Sequence, residues 1–168
     1  RYGIFYTDED GQKKGCIILH SSLGSIERWM GSVLEQAGRD QQKGKVPRLP
    51  VWLSPIQVRV VPVNSSFVDL ALSIAQRLAS EGLRADVDDR EESVSKKVRD
   101  AEVEWIPFIV VVGEREVASD KLAVRVRGGT PVEVAKDGLA ALVGAQIIGK
   151  PRVPSYTPTL LSMRPRFG

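Results

Sequence analysis

Two clusters of mixed charge hold the residues best suited to chemistry in this chain. The first is Asp88-Asp89-Arg90-Glu91-Glu92, followed by Lys96, Lys97 and Arg99. The second is Glu114-Arg115-Glu116, followed by Arg125 and Arg127. A carboxylate accepts hydrogen bonds from amino groups such as those on nucleobase edges, and an arginine donates in a fixed fork to a phosphate or a base edge. Lys96 and Arg99 are three apart, so a helix places them on one face with Lys97 alongside. The same charges suit a plain solvated face, with the acids pairing to the bases or complementing a helix N-terminus, and spacing alone leaves both readings open.

The elements that must position these clusters are legible around them. Arg84–Val87 reads as a short strand, and Glu92–Trp105 as a helix whose buried stripe is Val94, Val98, Ala101 and Trp105. Ile106–Val112 is apolar throughout, as expected of a parallel strand covered on both faces, and Gly113 stops it before a charged hairpin. Upstream, Ile56–Val63 is a β-branched run that ends near Pro62. Ser66 and Asp69 then read as a hydroxyl cap with a carboxylate three residues on. The helix they open carries Phe67, Leu70, Ala71, Ile74 and Leu78 on one face, and Gly82 ends it. Two successive strand–helix–strand units imply a parallel sheet with right-handed crossovers. In such a sheet ligands gather beyond the C-terminal strand ends, where Asp88–Glu92 and Gly113–Glu116 both fall. Lys121–Arg127 alternates apolar and polar residues, the pattern of a one-sided strand at the edge of an antiparallel addition. Asp137–Ile148 reads as a last helix, with Leu139, Leu142, Val143 and Ile147 inward.

Before these units come two short apolar runs, Tyr2–Phe5 and Cys16–His20, around an Asp10-Gly11 turn, which together suggest a hairpin. Ser25–Gln36 then has helical spacing in Ile26, Met30, Val33 and Leu34, with Gly38 as its stop. Between hairpin and helix lies His20-Ser-Ser-Leu-Gly24-Ser25-Ile-Glu27-Arg28, where a helix N-terminus can face an anion. Gly38–Pro55, rich in Gly, Pro and basic residues, reads as a linker. The expected organisation is residues 1–45, a domain over 46–150, and a tail over 151–168. The tail is extended and basic, with Lys150, Arg152, Arg164 and Arg166 at and beyond its start and no acidic residue. The fold class is α/β: a mixed, mostly parallel sheet of about five strands flanked by three helices, preceded by a β-hairpin and a helix.

Composition narrows the class further. Hydrophobic residues make up 42% and charged residues 27% of the 168, values typical of a globular protein. The single cysteine, Cys16, excludes an intramolecular disulfide framework and fits a reducing, cytoplasmic compartment. No apolar run approaches the roughly 20 residues of a membrane span, so no membrane partner is expected. There is no Gly-rich phosphate loop, which argues against a nucleotide cofactor in the 46–150 domain. The formal net charge of +3 permits a polyanion partner without arguing for one. Because the chain starts Arg1-Tyr-Gly-Ile-Phe, with neither an initiator Met nor a signal peptide, it reads as the C-terminal part of something longer.

Taken together, Asp88–Ala101, Ile106–Glu116 and Ala123–Arg125, with the entry Trp52-Leu-Ser-Pro-Ile-Gln-Val58, resemble the C-terminal anticodon-binding domain of class II aminoacyl-tRNA synthetases, and within them the threonyl-tRNA synthetases of archaeal type. The resemblance covers about Trp52–Ile148. It implies an anticodon site with Arg99, Glu116 and Arg125 near or on the bases, and Lys96 and Lys97 against the tRNA backbone. Glu91 stands where bacterial members read a base with Asn; Glu only accepts, so it reads differently or orders its loop. Ser93 replaces a family Lys and is not expected to touch phosphate.

The segment around His20 resembles motif 3 of the catalytic core. By that resemblance His20 is one of three zinc ligands, Ser25 lies by the amino-acid pocket and Arg28 packs on the adenine of ATP. Cys16 does not match the family's cysteine ligand. The resemblance further implies ATP with magnesium, zinc, threonine and tRNA(Thr) for a full-length threonine–tRNA ligase acting as a homodimer, while the 168-residue chain by itself is expected to be inactive. Three alternatives stand beside this reading: the tRNA-binding part of a split editing or accessory chain, a sibling synthetase, and a non-enzymatic interaction module of the same fold.

Overall fold

The computed structural model describes residues 4–15 and 24–165. His20 and Cys16 lie outside them, as does Arg166. Two compact units divide the chain, Arg1–Glu35 and Gln36–Gly168.

In the first unit, β1 (Phe5–Thr7) and β2 (Lys13–Gly15) pair antiparallel with Tyr6 opposite Lys14. Gly11, at φ +77°, makes the turn, and the Asp10 carboxylate accepts from the Gln12 N–H at 3.0 Å. Helix α1 (Ile26–Gln42) starts in this unit and continues into the next. It runs past Gly38, the expected stop, because a helix tolerates a glycine at about 1 kcal/mol. The chain turns at Gly44 instead, with φ +79°. Ile26, Met30 and Leu34, which carry the helical spacing, are 75%, 53% and 51% exposed.

The second unit is built on a five-stranded sheet. Its strands are β3 (Val58–Pro62), β4 (Ala85–Val87), β5 (Phe108–Val112), β6 (Lys121–Val126) and β7 (Val132–Ala135), in the spatial order β4-β3-β5-β6-β7. β3 pairs parallel with β4 and β5, while β6 pairs antiparallel with β5 and β7, so β6 alone opposes the others. The expected edge strand is thus interior, and the edge is β7, which follows Pro131.

Alternation along the strands sorts the core into two layers. Val58, Val60, Val110, Leu122 and Val124 face helices α2 (Val68–Ser80) and α5 (Leu139–Gly144) through Ala71, Ala75, Leu78, Leu139 and Val143. Val61 and Ile109 face helix α3 (Val94–Val103) through Val98 and Ala101. Helix α2 is entered through a short 3-10 turn, Ser65–Phe67, whose cap is Asn64 accepting from the Ser66 N–H at 3.0 Å; Ser66 is therefore not the cap. Helix α3 stops two residues before Trp105, which takes the left-handed φ of 59° that few non-glycine residues adopt. The expected charged hairpin after β5 is a short helix, α4 (Glu114–Ala118).

One buried ion pair ties β4 to β3. Arg59 and Asp86 are in register and joined by two hydrogen bonds of 3.0 and 2.9 Å, and Arg59 Nη2 also reaches Glu104 at 2.7 Å. Burial opposes the Arg59 charge, but the bonds to Asp86 and Glu104 more than offset it and raise the guanidinium pKa. Burial pushes the Asp86 carboxyl up, against the pull of Arg59 and Arg164. With two guanidinium groups on it, Asp86 remains the charged partner at neutral pH.

Candidate nucleic-acid interface

Helix α3 covers only part of its side of the sheet. It packs over β3 and β5, and along β6 the residues Lys121, Ala123 and Arg125 are exposed while Leu122 and Val124 are buried. Glu133 of β7 pairs opposite Ala123 and is exposed as well. The result is a half-open sheet face bordered by a helix.

Arg125 lies opposite Ile109, so it projects on the α3 side. Arg99, midway along α3, shares with it an open groove of about 680 Å³ that also takes in Glu102, Ile109, Arg127 and Gly129. Arg127 fixes one end of this groove. Its Nε donates to Pro47 O at 2.7 Å, its Nη1 donates to Glu102 O at 2.6 Å, and its guanidinium stands over the Trp105 ring at 5.6 Å from the centroid. Burial lowers the Arg127 pKa. Arg99 and Arg125 are thus brought together on a firm frame.

Glu116 does not join them. It follows Val112, whereas Arg125 pairs three residues earlier on β5, roughly 10 Å back along the strand. Its carboxylate accepts from the Gly113 N–H at 3.0 Å and so caps α4. A Cβ on Gly113 would meet Val63 Cγ2 at 2.9 Å, so the turns after β3 and β5 touch there. The three residues that the resemblance puts near or on the bases are therefore not gathered at one point: Arg99 and Arg125 share a groove, and Glu116 sits at the C-terminal strand ends.

The β4–α3 loop lies at those same ends. Arg90 grips Asp88 with bonds of 2.8 and 2.7 Å and reaches Asp100 of α3 at 2.9 Å. Burial works against the Asp88 charge, yet Arg90 outweighs it and holds the carboxyl below the usual range. The hydrogen bonds to Asp88, followed by that to Asp100, raise the Arg90 pKa against the effect of burial. Glu91 and Glu92 stand exposed at the apex. Ser93, at the start of α3, accepts from the Lys96 N–H at 3.3 Å. Lys96 is exposed and paired with Glu92. Lys97, expected beside it on the solvent face, is only 3% exposed and donates to Pro62 O at 3.2 Å. Its aliphatic stem crosses the core and its ammonium finds a strand-end carbonyl.

In the first unit, Ser25 and Arg28 are exposed at the N-terminus of α1, and the Arg28 side chain runs along Gly24, at φ +74°. The Glu27 carboxyl is lowered by its own backbone N–H and by the Ser25 hydroxyl. Among the described residues no three His, Cys, Asp or Glu gather as a metal site. No helix among them is long and apolar enough to cross a membrane.

Three residues of this surface escaped the sequence reading. Glu133 and Lys121 were missed as partners because β7 is only four residues long. Trp105 was assigned to a buried stripe; its pairing with Arg127 depends on a backbone turn that no periodicity announces.

Residues 57–145, from just before β3 to the end of α5, match the family model described as "Anticodon binding domain". Across 168 residues the chain is 48% identical to a threonine–tRNA ligase of Thermofilum pendens, covering 99% of this chain and 28% of that protein. Its identity to the threonine–tRNA ligase of Pyrobaculum aerophilum is 49% over 166 residues, covering 98% of this chain and 27% of the relative. Among solved structures, the RNA binding domain of a threonyl-tRNA synthetase from Cryptosporidium parvum Iowa II superposes with a TM-score of 0.63 at 28% identity, over 74% of this chain and 30% of that one. The chain therefore spans less than a third of the length of these relatives.

Proposed function

We propose a function for a chain that belongs to the anticodon binding domain family: it reads the anticodon of tRNA(Thr) as part of a threonine–tRNA ligase. The observation that carries this is the half-open sheet face, where Arg99 and Arg125 line one groove and, among the described residues, neither guanidinium is spent on the fold's own carbonyls. A guanidinium so presented grips a base edge or a phosphate of a splayed single strand. Glu91 and Glu116 supply acceptors for base amino groups at the adjoining strand ends, and Lys96 supplies a phosphate contact from α3. Lys97 is left out, since its ammonium is taken by Pro62 O.

For the whole ligase the reading is broader. The enzyme joins threonine to AMP with release of pyrophosphate, then passes the threonyl group to the tRNA 3′ end. Ser25 and Arg28 take the positions by the amino acid and the adenine, with magnesium accompanying ATP, in a homodimer. A catalytic zinc takes three protein ligands; His20 takes the place of one of them, and among the described residues no set of three His, Cys, Asp or Glu gathers. The similarity to ligases along nearly the whole chain supports this reading over an accessory module.

The test is binding of the chain to tRNA(Thr) transcripts with native and altered anticodons. Tighter binding to the native anticodon, lost in Arg125→Ala, is the expected result. Equal binding of both transcripts by the unmodified chain would sink the proposal.

A further inference from the structure

The tail, expected to be extended and basic, is docked on the fold. The Val87 N–H donates to Thr159 O at 2.8 Å, and Leu160 forms a parallel bridge with Val87 along the outer edge of β4. One residue pair further on, the Asp89 carboxylate accepts from the Ser162 N–H at 2.9 Å and from the Ser162 hydroxyl. Arg164 donates to Asp86 at 2.9 Å, and both its Nε and its Nη2 donate to Pro158 O at 3.1 Å, which closes the tail on itself. Asp86, Val87 and Asp89 are thus all held by residues 159–164.

The other half of the same loop is held from α3. Asp88 is locked to Arg90, and Arg90 in turn to Asp100. Holding the segment from two sides leaves it few ways to move. At its apex Lys96 of α3 holds Glu92, and of the loop's carboxylates that of Glu91 alone is left without a partner among the described residues. An acceptor that must meet a base amino group within hydrogen-bond tolerance gains from such fixing, because ordering the loop then costs nothing at the moment of binding.

The geometry points to Ser162 and Arg164 as positioning residues: the C-terminal strap, residues 159–164, holds the β4–α3 loop so that Glu91 meets the anticodon in one orientation. This rests on the anticodon reading above, and the strap itself can be tested apart from it. Two readouts on the 168-residue chain separate them. The first is amide hydrogen exchange at residues 89–92 in Ser162→Ala and Arg164→Lys, with Met163→Ala as control, since Met163 is 68% exposed within the same strap. Exchange about tenfold faster in the first two, with β5 and α5 unchanged, is expected from local rather than global opening. The second is the ratio of affinities for tRNA with native and altered anticodons. It falls by about threefold or more in Ser162→Ala and Arg164→Lys, while the melting temperature of Ser162→Ala and both readouts of the control stay at the unmodified values.

Unchanged exchange in both variants overturns the strap. Faster exchange with an unchanged ratio, in a chain that discriminates, overturns its positioning role. If the unmodified chain does not discriminate at all, the anticodon reading and this role both fall, while the exchange rates still decide whether the strap orders the loop.

Discussion

Arg59 and Asp86 lie opposite each other on β3 and β4, both side chains fully buried and joined by a bidentate pair of hydrogen bonds. Removing one member leaves the other charged in the core, so Asp86→Ala should destabilise the domain by about 3–5 kcal/mol. Each single change leaves one partner in place, Glu104 for Arg59 and Arg164 for Asp86. Arg59→Met also keeps the packing of the stem, so it should cost less than Asp86→Ala, which empties its site. Urea unfolding midpoints check the order, and a cost below about 1 kcal/mol for Asp86→Ala would contradict it.

Lys96 and Lys97 are neighbours with opposite duties. Lys96→Ala should reduce the salt dependence of tRNA binding by about one unit of slope and leave the melting temperature in place. Lys97→Ala should do the reverse, because it empties a packed site and leaves Pro62 O without its ammonium. Binding titrations at several salt concentrations, with thermal melts alongside, distinguish the two. A change in salt slope for Lys97→Ala alone would show the assignment to be inverted.

Arg125→Ala and Glu116→Ala should each lose on the order of 1–3 kcal/mol of discrimination against altered anticodons. Only Glu116→Ala should also lower stability, since its carboxylate is the cap of α4. Competition binding with single-base anticodon variants gives the first quantity, and calorimetry the second. If Arg125→Ala leaves every variant bound as before, the groove is not the reader; if Glu116→Ala does so, the strand-end acceptor is not part of it.

Acid should loosen the β4–α3 loop through Asp88. Burial opposes its charge, but Arg90 brings its folded pKa below the unfolded value of about 3.9. Its contribution is therefore complete above about pH 4 and is lost as the pH falls through the folded pKa. Asp88→Asn should lower stability at neutral pH and flatten its decline below about pH 4. Equal declines in the variant and the unmodified chain would place the acid sensitivity elsewhere.

Pyrophosphate exchange supplied with threonine and ATP should show no turnover by the 168-residue chain, which spans 28% of the length of the ligase from Thermofilum pendens. Turnover above a no-enzyme blank would contradict this.

Local pattern made much of this fold readable. The stripe Val94, Val98 and Ala101 and the apolar run into β5 are both where their spacing put them, because one helix and one strand can be read from their own residues. What could not be read were features whose causes lie far away in the chain. Arg164 meets Asp86 and Ser162 meets Asp89 across most of the second unit, and nothing near Pro158 announces either contact. Lys97 was placed on the surface because its type belongs there; only a carbonyl from β3 makes its burial tolerable. Helix α4 and strand β7 are too short to show a period. At the interface, the resemblance implies roles for Arg99 and Arg125, while their shared groove follows from a strand register that the resemblance does not contain.

The bridge between Leu160 and Val87 has a consequence for handling the protein. An uncovered parallel edge strand is a template for other chains, and here the tail occupies the outer side of β4 at Val87. The opposite edge, β7, is four residues long, follows Pro131 and carries Glu133, features that discourage pairing. A shortened version ending at Pro158 would uncover Val87 and the apolar residues beside it. Such a version would be expected to self-associate on concentration, so the last ten residues are best kept in any sample meant to stay monodisperse.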